Sequence, residues 1–177
     1  NSTIKQQIGA RLQSLKRGQT GYLVVQDVDS FKKINDTNGH LFGDAVLCSF
    51  ADELSNIFPE ALKGRIGGDE FVFYVEDMDR EHLEEKLKQL NRCMSDRYDD
   101  DKTGLHISCS LGAAVTDGTV TDYNLLFQWA DAALYQVKSK GKGAYYLLDV
   151  KEGVALPGKS YLDSEENKED EIAHKEA

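Results

Sequence analysis

The run Arg65-Ile66-Gly67-Gly68-Asp69-Glu70-Phe71 constrains the fold of this chain more than any other. Two glycines and two adjacent acids separate two apolar, β-rich segments, 61–66 and 71–75, so the run reads as the tip of a hairpin. Glycine reaches positive φ at no steric cost, and Gly-Gly or Gly-Asp pairs favour tight strand connections. Two carboxylates side by side at a tip repel each other unless something cationic sits there, and a divalent metal is the usual answer. Taken alone, a solvated acidic turn would look the same.

A second cluster lies some forty residues earlier, Asp27-Val28-Asp29-Ser30-Phe31-Lys32-Lys33-Ile34-Asn35-Asp36, directly after the apolar run Tyr22-Leu23-Val24-Val25. Asp27 therefore falls at the end of a buried strand, where an unpaired carboxylate is costly. A metal or a cationic side chain would offset that cost.

Periodicity supplies the rest of the order. Ile4, Ile8, Leu12 and Leu15 follow helical spacing, with Thr3 and Gln6 as a capping box and an end near Gly18. A strand at about 20–27 leads through a polar stretch, 35–43, into a helix at about 43–57, and Pro59 stops it. Val46, Leu47, Phe50, Leu54 and Ile57 form the apolar face of that helix. Hairpin strands at about 61–66 and 70–76 precede a helix at about 79–97. Leu105, Ile107, Cys109 and Leu111 then alternate with polar or small residues, the period of a half-buried strand. A helix at about 122–139 and a strand at 144–148 close the pattern. The order β-α-β-β-α-β from Tyr22 to Val115 is the ferredoxin-like arrangement of an α+β domain, with a helix and strand added behind it.

Length and composition bound the function classes. With 177 residues, 40% hydrophobic and 29% charged, the chain suffices for one domain, expected over 1–150. An acidic tail follows over 151–177, expected to be disordered or a linker. Seven acids against three bases over 158–177 supply −4 of the formal charge of −10. Such a charge argues against nucleic acid or an anionic membrane as partner, because both demand a basic face. No apolar run approaches the roughly 20 residues of a membrane span, so a soluble domain is expected, and a cytoplasmic one from the reducing compartment that its cysteines suit. Cys48, Cys93 and Cys109 are odd in number and sit in apolar-periodic segments, which suits buried thiols rather than a disulfide framework. The chain opens at Asn1, and fusion to upstream sensory or other domains is expected.

Three ordered motifs, Phe31-Lys32-Lys33-Ile34-Asn35-Asp36, Gly39-His40-Leu41-Phe42-Gly43-Asp44 and Gly67-Gly68-Asp69-Glu70-Phe71, together with the strand-end acid Asp27, resemble the GGDEF family of diguanylate cyclases over roughly residues 1–148. The resemblance implies an antiparallel, palm-type sheet flanked by helices. It implies a metal-dependent condensation of two GTP molecules to cyclic di-GMP and two pyrophosphates, at the interface of a homodimer. Asp27, the carbonyl of Val28, Asp69 and Glu70 would hold two Mg2+ (or Mn2+) ions per site, with Asp69 or Glu70 assisting removal of the 3′-hydroxyl proton. Nucleotidyl transfer needs that proton removed and the phosphate charge neutralised, and strand-end carboxylates holding metals meet both needs.

Substrate contacts follow from the same resemblance. Asn35 and Asp44 match the pair that reads the guanine edge, although both also suit turn and helix-start roles. His40 matches a substrate-contacting position, and Lys32 is a further phosphate candidate. Gly68 would keep the hairpin tip clear for a nucleotide, or serve only the turn. Lys138 and Lys142 match phosphate ligands, and a basic helix end also suits the macrodipole. Lys142 stands where the family has Arg, keeping the charge but losing the bidentate fork. Trp129 replaces a usual basic residue. Phe58 and Ala61 stand at the positions of an Arg-x-x-Asp product-inhibition site, so that site is expected to be missing. Asp29 is expected to point away from Asp27 and to cap the helical turn after the first strand. The alternatives are a catalytically silent domain that binds GTP or a cyclic dinucleotide as a regulatory module, and a purely structural dimerisation unit.

Overall fold

A computed structural model of the chain describes residues 2–156; the acidic tail beyond them lies outside the described residues. Helix α1 (Ser2–Gln13) precedes strand β1 (Gly21–Val28), helices α2 (Phe31–Asn38) and α3 (His40–Ile57), and the hairpin β2 (Leu62–Arg65) and β3 (Glu70–Glu76). Helix α4 (Arg80–Tyr98), strand β4 (Cys109–Thr116), helix α5 (Tyr123–Ser139) and strand β5 (Tyr145–Asp149) complete the domain. The five strands lie in the order β2-β3-β1-β4-β5. The first four are mutually antiparallel, as the ferredoxin-like order requires, and β5 joins β4 in parallel.

Strand periodicity explains why the sheet carries a core on each face. Tyr22, Val24 and Val28 of β1 point to one side with Phe71, Phe73 and Leu111, where α3 and α4 bury Val46, Phe50, Leu54, Leu83, Leu87 and Met94. Leu23 and Val25 point to the other, against Ile8 and Leu12 of α1 and Leu126, Trp129 and Leu134 of α5. Asp27, two residues after Val25, shares this second face, the one covered by α5.

Local signals set the element ends. Asp79 and Asp122 cap α4 and α5, their carboxylates accepting from the N–H groups of His82 and Leu125 at 2.7 and 2.8 Å. Gly39, at φ 87°, separates α2 from α3.

Several expectations need correction. The polar stretch 35–43 is helical on both sides of Gly39, so α3 begins at His40. Thr3 lies inside α1 rather than at its cap, and α1 ends at Gln13, short of Gly18. The fourth strand begins at Cys109, not Leu105, and is buried on both faces because helices cover both. Gly112 permits the closest of these contacts, since a Cβ there would overlap the backbone of Ala130 and Leu134. Of the three thiols only Cys109 is buried; Cys48 is exposed and Cys93 half-buried. The hairpin glycines Gly67 and Gly68 do not adopt left-handed backbone, so positive φ is not why glycine stands there.

Candidate active site at the ends of the central strands

The site forms where β1 ends and the β2–β3 hairpin turns. Asp27 sits opposite Glu70 in the β1–β3 register and opposite Ser110 in the β1–β4 register. The Val28 N–H donates to the Asp69 carbonyl at 3.4 Å, tying the hairpin tip to the end of β1. Arg65 braces the tip from below, its Nε donating to the carbonyls of Gly67 and Gly68 at 3.1 and 2.8 Å. The Ile66 N–H closes the turn on the Glu70 carbonyl at 3.0 Å.

These contacts gather most of the expected residues around one cleft of about 410 Å3, lined by Asp27, Val28, Lys32, Asn35, Asp69, Lys138 and Lys142 together with Asp29, Ser30 and Phe31. Glu70 flanks it. A Cβ at Gly67 would stand 3.2 Å from Glu70 Oε2, so the first glycine makes room for that carboxylate. A Cβ at Gly68 would meet nothing within 4 Å, which leaves the tip open to a ligand lying across it.

Electrostatics at this end of the sheet are unfavourable without a cation. Asp27 and Glu70 stand opposite one another on paired strands and Asp69 adjoins Glu70, so acids crowd this end. Burial pushes the Glu70 carboxyl up from its ordinary value, and Asp131 of α5 and then Asp69 push it further. Burial also raises Asp69, partly opposed by a backbone hydrogen bond and by Arg65. Lys138 pairs with Asp27 Oδ2. Asp27 Oδ1 is buried and has no hydrogen-bond partner among the described residues.

That unpartnered oxygen tests whether the residues suit a metal. Among the described residues, no three His, Cys, Asp or Glu side chains converge into an all-protein cage. Magnesium does not need one: it is commonly held by one or two carboxylates, with substrate phosphates and water completing an all-oxygen shell. Asp27 Oδ1 beside the Asp69 tip fits that pattern.

Asn35 packs on α3 at a glycine. Gly43 of α3 packs directly on the Asn35 side chain, whose Oδ1 a Cβ would overlap, and Asp44 is the next residue. Asn35 Oδ1 is buried without a partner among the described residues. Asp44 and His40 are exposed on the first turns of α3, outside the cleft lining.

The family model described as "Diguanylate cyclase, GGDEF domain" matches residues 1–144. The chain belongs to the GGDEF family. A probable diguanylate cyclase from Escherichia coli, DgcT, is 32% identical over 144 residues, 78% of this chain and 32% of that protein. The diguanylate cyclase DgcS from Shewanella oneidensis is 37% identical over 133 residues, 71% of this chain and 41% of that protein. The chain thus spans less than half the length of these curated relatives. The GGDEF domain of DgcB from Caulobacter crescentus, solved in complex with c-di-GMP, superposes with a TM-score of 0.69 at 26% identity, covering 82% of this chain and 86% of that one.

As a GGDEF domain the chain keeps its own departures. Phe58 and Ala61, at the Arg-x-x-Asp positions, are both buried in the core, so no charged pair stands there. Trp129, in place of a basic residue, is 3% exposed and packs against the α1 side of the sheet. Among the described residues no helix is long and apolar enough to cross a membrane.

Sequence reasoning misplaced one residue of the site. Asp29 does not cap α2; its carboxylate accepts from the hydroxyls of Ser108 and Ser110, both at 2.6 Å, and from the Gly143 N–H at 3.0 Å. The signal was present, because positions two apart on an extended chain share a face and Asp29 therefore accompanies Asp27. Asp131 beside Glu70 carried no such signal, since α5 is far away in sequence.

Proposed function

We propose that this domain is a diguanylate cyclase, joining two GTP molecules into cyclic di-GMP with release of two pyrophosphates. The observation that carries the reading is the cleft at the strand ends, where an unpartnered Asp27 oxygen, the Asp69 tip, Asn35 and two lysines surround one space. Asn35 in the cleft and Asp44 on α3 would read the guanine edge, an amide and a carboxylate answering the base's acceptor and donors. Lys138 and Lys142, with Lys32 at the rim, would bind the triphosphate. His40, at the start of α3, would add a contact to the bound nucleotide. Asp27, the carbonyl of Val28, Asp69 and Glu70 would hold Mg2+ or Mn2+, whose chemistry when bound is to neutralise the α-phosphate and pyrophosphate charge and acidify the attacking hydroxyl.

Asp69 or Glu70 would assist removal of the 3′-hydroxyl proton, as the resemblance to the family implies. Each bound GTP would offer its 3′-hydroxyl to the α-phosphate held by a second copy, so turnover requires two domains face to face. Gly68, with no neighbour above it, leaves the approach clear.

Asp69→Ala and Glu70→Ala test the assignment. Each is expected to lower cyclic di-GMP formation at least about a thousandfold, with the circular dichroism of the folded domain retained. Full activity in both variants would sink it.

A further inference from the structure

The loop between α5 and β5 is held in an unusual backbone. Gly141, Lys142 and Gly143 all have positive φ, at 118°, 68° and 66°. Lys142 is a non-glycine residue in the left-handed region, a conformation that persists only where surrounding contacts over-determine it. Its Nζ reaches Ser30 Oγ at 3.1 Å, and Ser30 is itself left-handed, at φ 54°. Two of the three non-glycine residues with positive φ among the described residues, the third being Asp77, thus meet at this rim of the cleft.

The Lys142 N–H donates to the Val137 carbonyl at 3.1 Å, and Asp29 holds the loop from its other side. Its side chain lies in a residue only 8% exposed, and both carboxylate oxygens are occupied by protein donors: Oδ1 by the Ser110 hydroxyl, Oδ2 by the Ser108 hydroxyl and the Gly143 N–H. The same Gly143 N–H also reaches Ser110 Oγ at 3.1 Å. The two serines belong to or adjoin β4, already paired with β1, whereas Gly143 belongs to a different segment. Gly143 comes just before β5, where the Ala144 carbonyl accepts from the Leu111 N–H at 3.0 Å, and it is the one of these partners next to Lys142.

We propose that Asp29 is the positioning residue of the phosphate-binding loop: its buried carboxylate, oriented by Ser108 and Ser110, grips the Gly143 N–H and thereby fixes Lys142 over the cleft, without itself touching the nucleotide. The inference rests on the GTP reading above and on Lys142 as a triphosphate contact. Charge-assisted hydrogen bonds of this kind are among the stronger ones a protein makes, and their loss frees the loop to relax away from its strained backbone.

The test is calorimetric titration of the whole chain with GTP and, separately, with guanosine, which has no phosphates. Asp29→Asn is expected to weaken GTP binding about tenfold while changing guanosine affinity less than about twofold. General damage to the site would weaken both. In a Lys142→Ala background the same Asp29→Asn change is expected to cost less than about twofold, because a positioning effect vanishes with the residue it positions. Unchanged GTP affinity, equal loss for guanosine, or full additivity with Lys142→Ala would each overturn the inference. Should Asp29→Asn fail to fold, Ser108→Ala decides the matter by the same comparison, with a smaller loss in the same direction expected for GTP alone. If the unmodified chain binds no GTP, the underlying nucleotide reading falls and the inference with it, an outcome recognisable because it does not depend on residue 29.

Discussion

At the scale of single residues the acidic tip is a compromise between stability and chemistry. Asp69 and Glu70 hold their protons to higher pH in the fold than in the unfolded chain, because burial opposes their charge. Over the window between the ordinary carboxylate range and those raised values, the folded state binds more protons than the unfolded one. Stability contributed by these groups therefore falls as pH rises through that window. Glu70→Gln removes the penalty. Without magnesium, the variant is expected to be more stable than the parent at about pH 7.5 and indistinguishable at about pH 3.5. Urea midpoints at the two values check this. The gain should be only about 0.5 kcal/mol, since both carboxylates stay partly exposed. Lys142 offers the converse experiment: Lys142→Arg restores a planar fork for phosphate and is expected to tighten GTP binding about threefold, read by titration. Part of this site was legible in single residues. Asp27 stood at a strand end, and an acid there needs a partner, which Lys138 supplies on one oxygen. Asp29 was not legible as a loop anchor, because its partner Gly143 lies more than a hundred residues away and only the folded chain brings them together.

At the scale of elements, the junction of α2 and α3 shows what patterns can and cannot reveal. Only Ile34 is buried in α2, and Asn35, Asp36, Thr37 and Asn38 are weak helix formers, so neither periodicity nor propensity marks the helix. Packing against α3 makes it one. The contact that matters is Gly43 on Asn35, and Gly43→Ala is expected to push the Asn35 amide aside. Guanosine affinity should then fall about tenfold, the cost of one misplaced polar contact, while inorganic triphosphate binding, measured in competition, should hold. Equal losses for both would mean that the junction does not orient the base contact. The hairpin, by contrast, was legible because its strands alternate and its turn residues are distinctive. Strand β4 was misread at its start for the opposite reason: covered on both faces, it has no polar side to alternate with, and the regular alternation over 105–108 belongs to the approach before it.

At the scale of the whole molecule, the order of strands and helices other than α2 followed from hydrophobic periodicity, and the parallel addition of β5 to β4 completed a sheet with a core on each face. This architecture brings the cleft, the strained α5–β5 loop and the hairpin tip to one edge, where a second copy could present its own nucleotide. On the proposed mechanism, which takes two domains, the rate per domain should rise with protein concentration and become independent of it in a dimerised fusion. The most direct test incubates this fusion with GTP and magnesium and follows the products by mass spectrometry. Cyclic di-GMP and pyrophosphate appearing in the ratio of one to two, and absent with Asp69→Ala, is the predicted result; GTP bound but unconverted at every concentration would contradict the assignment of a cyclase.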